Sequence, residues 1–158
     1  MGKGAFGNDP RRAYEKTMKR KVKKNIGSLT IVVADDTYDK VLTAFNIGVA
    51  GIELGIKVYM FFTSRGVNVL RKAYKPRRAR WGEAPIGWKE AAIKKRGGPV
   101  LAQLMYQAKD MGVHLFVCYT SMVSTGLHEQ MFIGGVKVIR MAEFLELALE
   151  SDVQFVIS

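Results

Sequence analysis

The sequence predicts an α/β protein with three layers, in which a mainly parallel five-stranded sheet lies between helices. Several short runs of apolar, β-branched residues show no alternation of apolar and polar side chains, as expected of parallel strands covered on both faces. Segments with apolar residues at helical spacing lie between these runs. Strands that alternate with helices at short spacing form βαβ units, which place the strands in parallel.

The first half of the domain contains two strands and two helices. The run Leu29–Ala34 predicts the first strand, and Asp35-Asp36-Thr37 ends it and can cap a helix. Apolar residues at helical spacing then follow from Val41 to a stop at Gly55. The second strand is Ile56–Phe62, and a short helix is predicted from Gly66 to Lys72.

The second half contains the remaining three strands. Pro99 begins a predicted helix that closes at Gly112, and the apolar run Val113–Val117 leads into Cys118 as the third strand. A short strand at 136–138, a helix at 141–149 and a last strand at 153–157 complete the fold. The sequence therefore predicts one domain over residues 28–158.

The basic charge lies in two appendages to this domain. The formal net charge is +11, and residues 1–27 carry nine Lys/Arg and two Asp/Glu. Residues 65–96 carry eleven Lys/Arg and two Asp/Glu, whereas the rest of the chain has five basic and ten acidic residues. We therefore interpret residues 1–27 as a basic N-terminal arm and expect both basic regions to face anionic partners.

An insertion at residues 74–98 interrupts the strand–helix pattern. About 25 residues is long for a purely structural connection. It holds both tryptophans of the chain, and four of its residues are candidates for binding a partner: Arg77, Arg78, Arg80 and Trp81. Three interpretations remain open: a solvated loop or oligomer contact, a docking surface for an acidic carrier protein, and, less favoured, a surface for single-stranded nucleic acid.

The bulk composition favours a soluble, cytoplasmic protein. No apolar stretch approaches the roughly 20 residues that cross a bilayer, and residues 1–27 lack the apolar core of a secretory signal. One cysteine among 158 residues also argues against a secreted scaffold built from disulfides.

Cys118 is the best candidate for chemistry, because it ends a buried strand. Ligands and reactive groups gather at the carboxyl ends of strands in open α/β sheets. A helix that starts near Thr120 and Ser121 would favour the thiolate, and Arg65 and Arg140 are the basic residues that could strengthen this preference. Chemistry at Cys118 requires an anionic thiol that is accessible at the rim of the sheet. The alternative is that Cys118 is a small buried apolar residue.

Other polar residues give weaker indications. Asp35 and Asp36 either cap a helix or shape the mouth of a pocket. His114 is expected to pack inside the protein, and His128 to lie in a solvated loop. The spacing of these histidines and Cys118 does not suit zinc, and no dinucleotide or nucleophile-elbow motif is present, so the sequence predicts neither a metal site nor a cofactor.

Three stretches of the chain form a recognisable set of motifs. The first is Phe61–Lys72, with an aromatic pair, Thr, Gly and Leu-Arg-Lys. The second runs from Gly112-Val113 to Cys118-Tyr119-Thr120-Ser121-Met122, and the third runs from Gly134-Gly135-Val136 to Glu150–Val153. Together these stretches resemble the DsrE/DsrF-like sulfur-relay family, in particular its DsrE/F/H-like branch that is often called peroxiredoxin-like.

This resemblance implies a homo-oligomer and a cysteine that carries sulfane sulfur as a persulfide or thiosulfonate, with TusA-like carriers or rhodanese-type donors as partners. The sulfur-bearing position is then Cys118, and the expected substrate-binding residues are Thr120, Ser121, Met122, Asp35 and Arg65. The expected function is that of a sulfur carrier or a sulfurtransferase. The alternative is a noncatalytic module that recruits an anionic partner through the arm and the insertion.

Overall fold

The fold is a five-stranded parallel sheet with helices on both faces. The computed structural model describes residues 16, 17 and 26–158. Its strands are β1 (Ser28–Val33), β2 (Lys57–Phe62), β3 (His114–Cys118), β4 (Lys137–Ile139) and β5 (Val153–Ile157). Its α-helices are α1 (Tyr38–Glu53), α2 (Ile86–Lys95), α3 (Leu101–Asp110), α4 (Tyr119–Ser124) and α5 (Met141–Leu149). Short 3₁₀ helices span Ser64–Leu70 and Glu129–Met131. The predicted α/β class is confirmed.

The strand order explains why the two helical layers differ in size. The order is β4-β3-β2-β1-β5, and all four pairings are parallel. The first three connections therefore step across the sheet in one direction, and the connection from β4 to β5 returns in the other. Since parallel strands are joined by right-handed crossovers, the returning connection must use the opposite face. This places α1 and α3 on one face and α5 on the other.

The larger core lies between the sheet and the helices α1 and α3. Alternate residues of β1 and β2, among them Ile31, Val33, Val58 and Met60, face this side and are fully buried. They pack against apolar residues of both helices at helical spacing, namely Val41, Ala44, Phe45, Leu101, Leu104 and Ala108. The apolar periodicity of the sequence thus specifies this layer directly.

The opposite face of the sheet carries a second, smaller cluster. Phe61 of β2 and Phe116 and Cys118 of β3 point to this side, because side chains alternate along a strand. Phe144 and Ala148 of α5 cover them, and the rings of Phe61 and Phe144 stack with centroids 4.0 Å apart. Among the described helices, α5 alone packs on this face, so the third layer is thin.

Gly66 fixes how closely the segment after β2 approaches β1. A Cβ atom at this position would collide with the carbonyl group of Val33. Gly66 therefore allows the Ser64–Leu70 helix to pass directly over the end of β1. The predicted short helix is present, but it is a 3₁₀ helix that begins two residues earlier than expected.

Two further expectations are corrected by the structure. The insertion contains the helix α2, which the sequence did not predict because α2 buries none of its residues. His114 is exposed rather than packed inside, and its ring stacks on Tyr59 with the centroids 5.1 Å apart. Most of the predicted N-terminal arm lies outside the described residues, so its role stays a prediction. None of the described helices combines the length and hydropathy that a bilayer-spanning segment needs.

Candidate active site

Three neighbouring strands bring the candidate residues to one edge of the sheet. Val33 pairs with Phe62, and Phe62 pairs with Val117, so β1, β2 and β3 end side by side. The segments that follow them carry Asp35 and Asp36, then Thr63 to Arg65, then Cys118 to Ser121. The parallel arrangement therefore gathers groups from three distant parts of the chain.

Cys118 ends β3 and lies directly before α4. Its side chain is only 2% exposed, because it points into the small cluster beneath α5. The expectation of a thiol that is open at the rim is therefore wrong for the single chain. The expected position at the end of the strand is correct. Thr120 and Ser121 were expected to cap the following helix, but both lie inside α4, which begins at Tyr119 with Cys118 as its N-cap residue.

The surroundings of Cys118 favour the thiolate. Burial alone would raise the pKa of the thiol, since a charged sulfur loses its hydration. Hydrogen bonds from the amide and hydroxyl of Ser121, the hydroxyl of Thr63 and the amide of Thr120 more than offset this effect. The pKa of Cys118 is consequently lowered from its ordinary value. A nucleophilic cysteine requires such a shift, because the thiolate is the reactive form.

The hydroxyls of Thr63 and Ser121 form a pair beside the sulfur. Their oxygens are 3.0 Å apart, and the Ser64 N–H donates to the Ser121 oxygen at 2.9 Å. One hydroxyl hydrogen joins the two oxygens, so the pair retains one hydrogen for the sulfur. The amides of Thr120 and Ser121 act together with this pair in lowering the pKa of Cys118.

Ser64 holds a backbone conformation that glycine would adopt more easily. Its φ is 50°, in the left-handed region, where other residues are strained by about 1–2 kcal/mol. This conformation aims its N–H at Ser121. Strain of this kind persists where the surrounding structure holds it, and such positions cluster at functional sites.

Asp35, Asp36 and Arg65 lie at the β1 side of this edge. Both aspartates are buried, and Arg65 is within 3.6 Å of the Asp35 carboxylate and 4.0 Å of that of Asp36. Burial opposes ionisation of Asp35, but the Thr37 amide and Lys40 outweigh it and lower the pKa of this carboxyl to about 2. Arg65 therefore pairs with the carboxylates, although 61% of its side chain is exposed.

The remaining predicted substrate-binding residues divide between two environments. Thr120 is exposed and contributes its amide to the thiolate, as described above. Met122 is buried in the larger core, not in the cluster around Cys118. Its predicted contact with a substrate is therefore not supported by its surroundings.

The insertion is attached to the same edge. The Arg77 Nε atom donates to Asp36 Oδ1 at 2.8 Å, and the Tyr74 hydroxyl donates to the Asp36 carbonyl at 2.9 Å. Burial, followed by the charges of Asp36 and Asp35, raises the pKa of Tyr74 and keeps its hydroxyl protonated. Arg77 is therefore an anchor, whereas Arg78, Arg80 and Trp81 remain exposed.

Thr63, Ser64 and Phe144 were missed as site residues by sequence reasoning. A signal existed for the first two, since they follow β2 as Thr120 and Ser121 follow β3. Phe144 carries no such signal, because it covers Cys118 only through tertiary packing. Within the described residues, no group of three or more His, Cys, Asp or Glu side chains could share a metal ion.

The comparisons with known proteins agree with the parallel α/β fold. The DsrE/DsrF-like family matches residues 27–156, and the chain therefore belongs to this family, which is generally associated with sulfur relay. The fold is similar to that of the YchN protein from E. coli, with a TM-score of 0.62 at 18% identity, covering 83% of this chain and 99% of YchN. No protein with a curated description matches the sequence.

Proposed function

We propose that this protein is a sulfur carrier or sulfurtransferase that holds sulfane sulfur on Cys118. The observation that supports this most is the place of Cys118 at the carboxyl end of β3, directly before α4, where the hydroxyls of Thr63 and Ser121 and the amide of Thr120 help to lower its pKa. A buried cysteine with a purely structural role has no need of these donors. The same hydrogen-bond donors suit a persulfide anion, which also carries its charge on sulfur.

The proposed reaction is nucleophilic and needs no external oxidant. The Cys118 thiolate attacks the outer sulfur of a donor persulfide, the donor's S–S bond breaks, and the donor leaves as a thiolate. Cys118 then holds a persulfide. An acceptor thiolate attacks its outer sulfur in the same way, and the Cys118 thiolate is released. One S–S bond forms and one breaks in each step, so no net oxidation occurs.

The burial of Cys118 adds a condition to this reaction. A donor must reach a sulfur that is buried in the small cluster to which α5 contributes Phe144 and Ala148. Local opening of α5 would provide a route, because its contact with the sheet rests on this small cluster. Elements with few buried apolar contacts open at a lower free energy than the rest of a fold.

Donors and acceptors in this proposal are proteins or small persulfides in a reducing compartment such as the cytoplasm. Rhodanese-type donors and TusA-like carriers are the proposed protein partners, by analogy with the family. This chain has one cysteine, so sulfur must pass between molecules rather than between two thiols of one subunit.

We also propose that the protein is a homo-oligomer. Met141, Leu145 and Leu149 lie one above the other on the outer face of α5, and they are 49%, 55% and 77% exposed. Val156 of the neighbouring edge strand is 71% exposed. Such a stripe suits contact with a second copy. Leu145→Glu with Leu149→Glu should lower the mass measured by analytical ultracentrifugation, and an unchanged mass would argue against this surface.

The test of sulfur transfer is direct. The protein is incubated with cysteine persulfide, and intact mass spectrometry follows the addition of 32 Da per sulfur, a mass fixed by the element. The wild type should gain this mass, and Cys118→Ser should not. A free thiol in the wild type that gains no sulfur would contradict the proposal.

A second candidate function is recruitment of an anionic partner without catalysis. The exposed cations and tryptophans of the insertion favour it, and Cys118 would then be a packing residue. The two functions separate in Cys118→Ser. If the first function holds, the variant should lose the sulfur loading that the wild type shows. If the second function holds, the variant should recruit the anionic partner as the wild type does.

A further inference from the structure

The insertion presents cations that form no ion pair within the described part of the chain. Arg78, Arg80, Lys94 and Lys95 are exposed, and none forms an ion pair with any described residue. Arg78 donates only to the carbonyl oxygen of Glu83. These four side chains, together with Trp81 and Trp88, are called the cationic face below. Cationic side chains that form no ion pair within the protein remain available to bind an external anion.

Both tryptophans of the chain belong to this face. Trp81 is fully exposed, and Trp88 is 72% exposed. Trp88 and Lys95 are seven residues apart on α2 and therefore lie on the same side of the helix, with the exposed Ala91 and Ala92 between them. Tryptophan and arginine are the side chains that most often dominate binding energy in protein interfaces.

The insertion that carries the cationic face is fixed to the domain by ion pairs of other residues. Arg77 binds Asp36, and Lys89 Nζ lies 2.8 Å from Asp39 and 3.4 Å from Glu83. The Tyr38 N–H donates to the Arg77 carbonyl at 2.9 Å, which joins the insertion to the start of α1. The face is therefore held in place before any partner binds, which lowers the entropy lost on association.

The same anchors attach the insertion to the end of the sheet at which Cys118 lies. Arg77 is attached at the end of β1, and Cys118 ends β3, two strands away. Neighbouring strands are about 4.8 Å apart, so these two strand ends are separated by roughly 10 Å. A standard protein interface covers about 800 Å² on each partner, a patch roughly 30 Å across. One protein can therefore contact both the insertion and the end of the sheet at which Cys118 lies buried.

We propose that an acidic protein that bears a thiol or persulfide binds to the cationic face. The bound protein then brings this group to Cys118. This inference rests on the proposed sulfur chemistry and names the kind of partner that it uses. A single-stranded nucleic acid would use the same cations and rings, but it brings no thiol to the cysteine. The partner's carboxylates pair with the four cations, and an apolar surface covers the tryptophans.

The test uses a synthetic probe of defined chemistry. The probe is a 14-residue peptide rich in Glu with one central cysteine, prepared as the persulfide for transfer and with Ser at that position for binding. The full-length protein is compared with Arg78→Glu/Arg80→Glu and with Trp81→Ala. Lys57→Glu is the control, because Lys57 is exposed at the opposite end of β2.

Fluorescence anisotropy with the Ser peptide should show at least a tenfold loss of affinity in Arg78→Glu/Arg80→Glu. We expect at least a threefold loss in Trp81→Ala and less than a twofold change in Lys57→Glu. Binding by the wild type should weaken as salt is raised. Loading of Cys118 by the persulfide peptide should slow by the same factors, whereas loading by cysteine persulfide should be unchanged in all variants.

The outcomes separate docking from sulfur chemistry. If Arg78→Glu/Arg80→Glu is loaded by the peptide as fast as the wild type, docking at this face is overturned and the proposed function stands. If neither donor loads the wild type, the proposed function and this inference both fail. If fluorescein-labelled oligo(dT) binds more tightly than the peptide and depends on the same residues, the face belongs to a nucleic acid and the inference is overturned.

Discussion

Ser64 and Ser121, 57 residues apart in the chain, are joined by a 2.9 Å hydrogen bond from the Ser64 amide to the Ser121 hydroxyl oxygen. This bond connects the end of β2 to the first turn of α4, next to Cys118. Since Ser121 accepts from Ser64, its own hydrogen is free for Thr63 or for the sulfur. The thiolate is therefore stabilised by groups from two strands and not by α4 alone.

Replacing Ser121 by alanine should shift Cys118 towards the protonated thiol. A hydrogen bond to a charged group is worth about 1.5–3 kcal/mol, so the thiolate fraction at neutral pH should fall by about tenfold. Thiolate absorbance at about 240 nm, with Cys118→Ser subtracted, measures this directly because the chain has one cysteine.

Ser124→Ala is the matched control for this change. Ser124 lies on the same helix, and its hydroxyl donates to the Ser121 carbonyl rather than to the sulfur. The thiolate titration of Cys118 in Ser124→Ala should match that in the wild type. Equal titration curves for Ser121→Ala and Ser124→Ala would mean that the Ser121 hydroxyl does not stabilise the thiolate.

The sequence predicted the site in part, and the limits have physical causes. The strands were predictable because parallel strands covered on both faces form continuous apolar runs, and α1 was predictable because burial of one helix face imposes a period on its apolar residues. The position of Cys118 followed from the end of its strand. Its burial did not, because it depends on Phe144, which is distant in sequence and reaches the sulfur through the returning connection. Likewise, α2 packs few apolar residues and leaves no periodic trace.

Asp35 should make stability depend on pH in the acid range. Its pKa is about 2 in the folded protein and 3.8 in the unfolded reference, so its stabilisation is complete above about pH 4. The stabilisation is lost as the pH falls from about 4 to 2. Asp35→Asn should lower the free energy of unfolding by about 2 kcal/mol at pH 7, and should have little effect at pH 2.

Urea denaturation across this pH range measures the effect. Asp110→Asn serves as the control, since Asp110 is exposed at the end of α3 and forms no ion pair with described residues. A loss in Asp35→Asn that is the same at pH 2 and pH 7 would assign the effect to packing instead of charge.

Gly66→Ala should disturb both stability and the thiolate. The added methyl group would collide with the Val33 carbonyl, and such overpacking typically costs 1–3 kcal/mol. The strain should displace Ser64, two residues earlier, and weaken its bond to Ser121. We expect a lower midpoint of urea unfolding together with a smaller thiolate fraction at neutral pH.

Gly87→Ala provides the contrast. A Cβ atom at Gly87 has no neighbour within 4 Å, and the residue lies in α2, where alanine is favoured over glycine by about 0.5–1 kcal/mol. This variant should be as stable as the wild type or more stable, with an unchanged thiolate. If Gly66→Ala matches it in both measurements, the close approach to Val33 has no energetic importance.

Phe144 should control how fast reagents reach Cys118. Its ring stacks on Phe61 at an interplanar angle of 8°, and both belong to the cluster that encloses the sulfur. Phe→Ala changes in cores cost about 3–5 kcal/mol, so Phe144→Leu is preferred because it keeps an apolar cover while removing the stack. Labelling by N-ethylmaleimide should accelerate at least fivefold.

A control variant and a thiolate titration show whether Phe144→Leu changes the access of the reagent to Cys118 or the reactivity of the thiol. Glu146→Ala changes an exposed side chain of the same helix that forms no ion pair with described residues, and it should leave the labelling rate unchanged. The thiolate titration of Phe144→Leu should match the wild type, because its donors lie on Thr63, Thr120 and Ser121. Faster labelling with an unchanged titration therefore assigns the effect to opening of α5. Labelling at the wild-type rate would mean that donors approach Cys118 by another route, past α4.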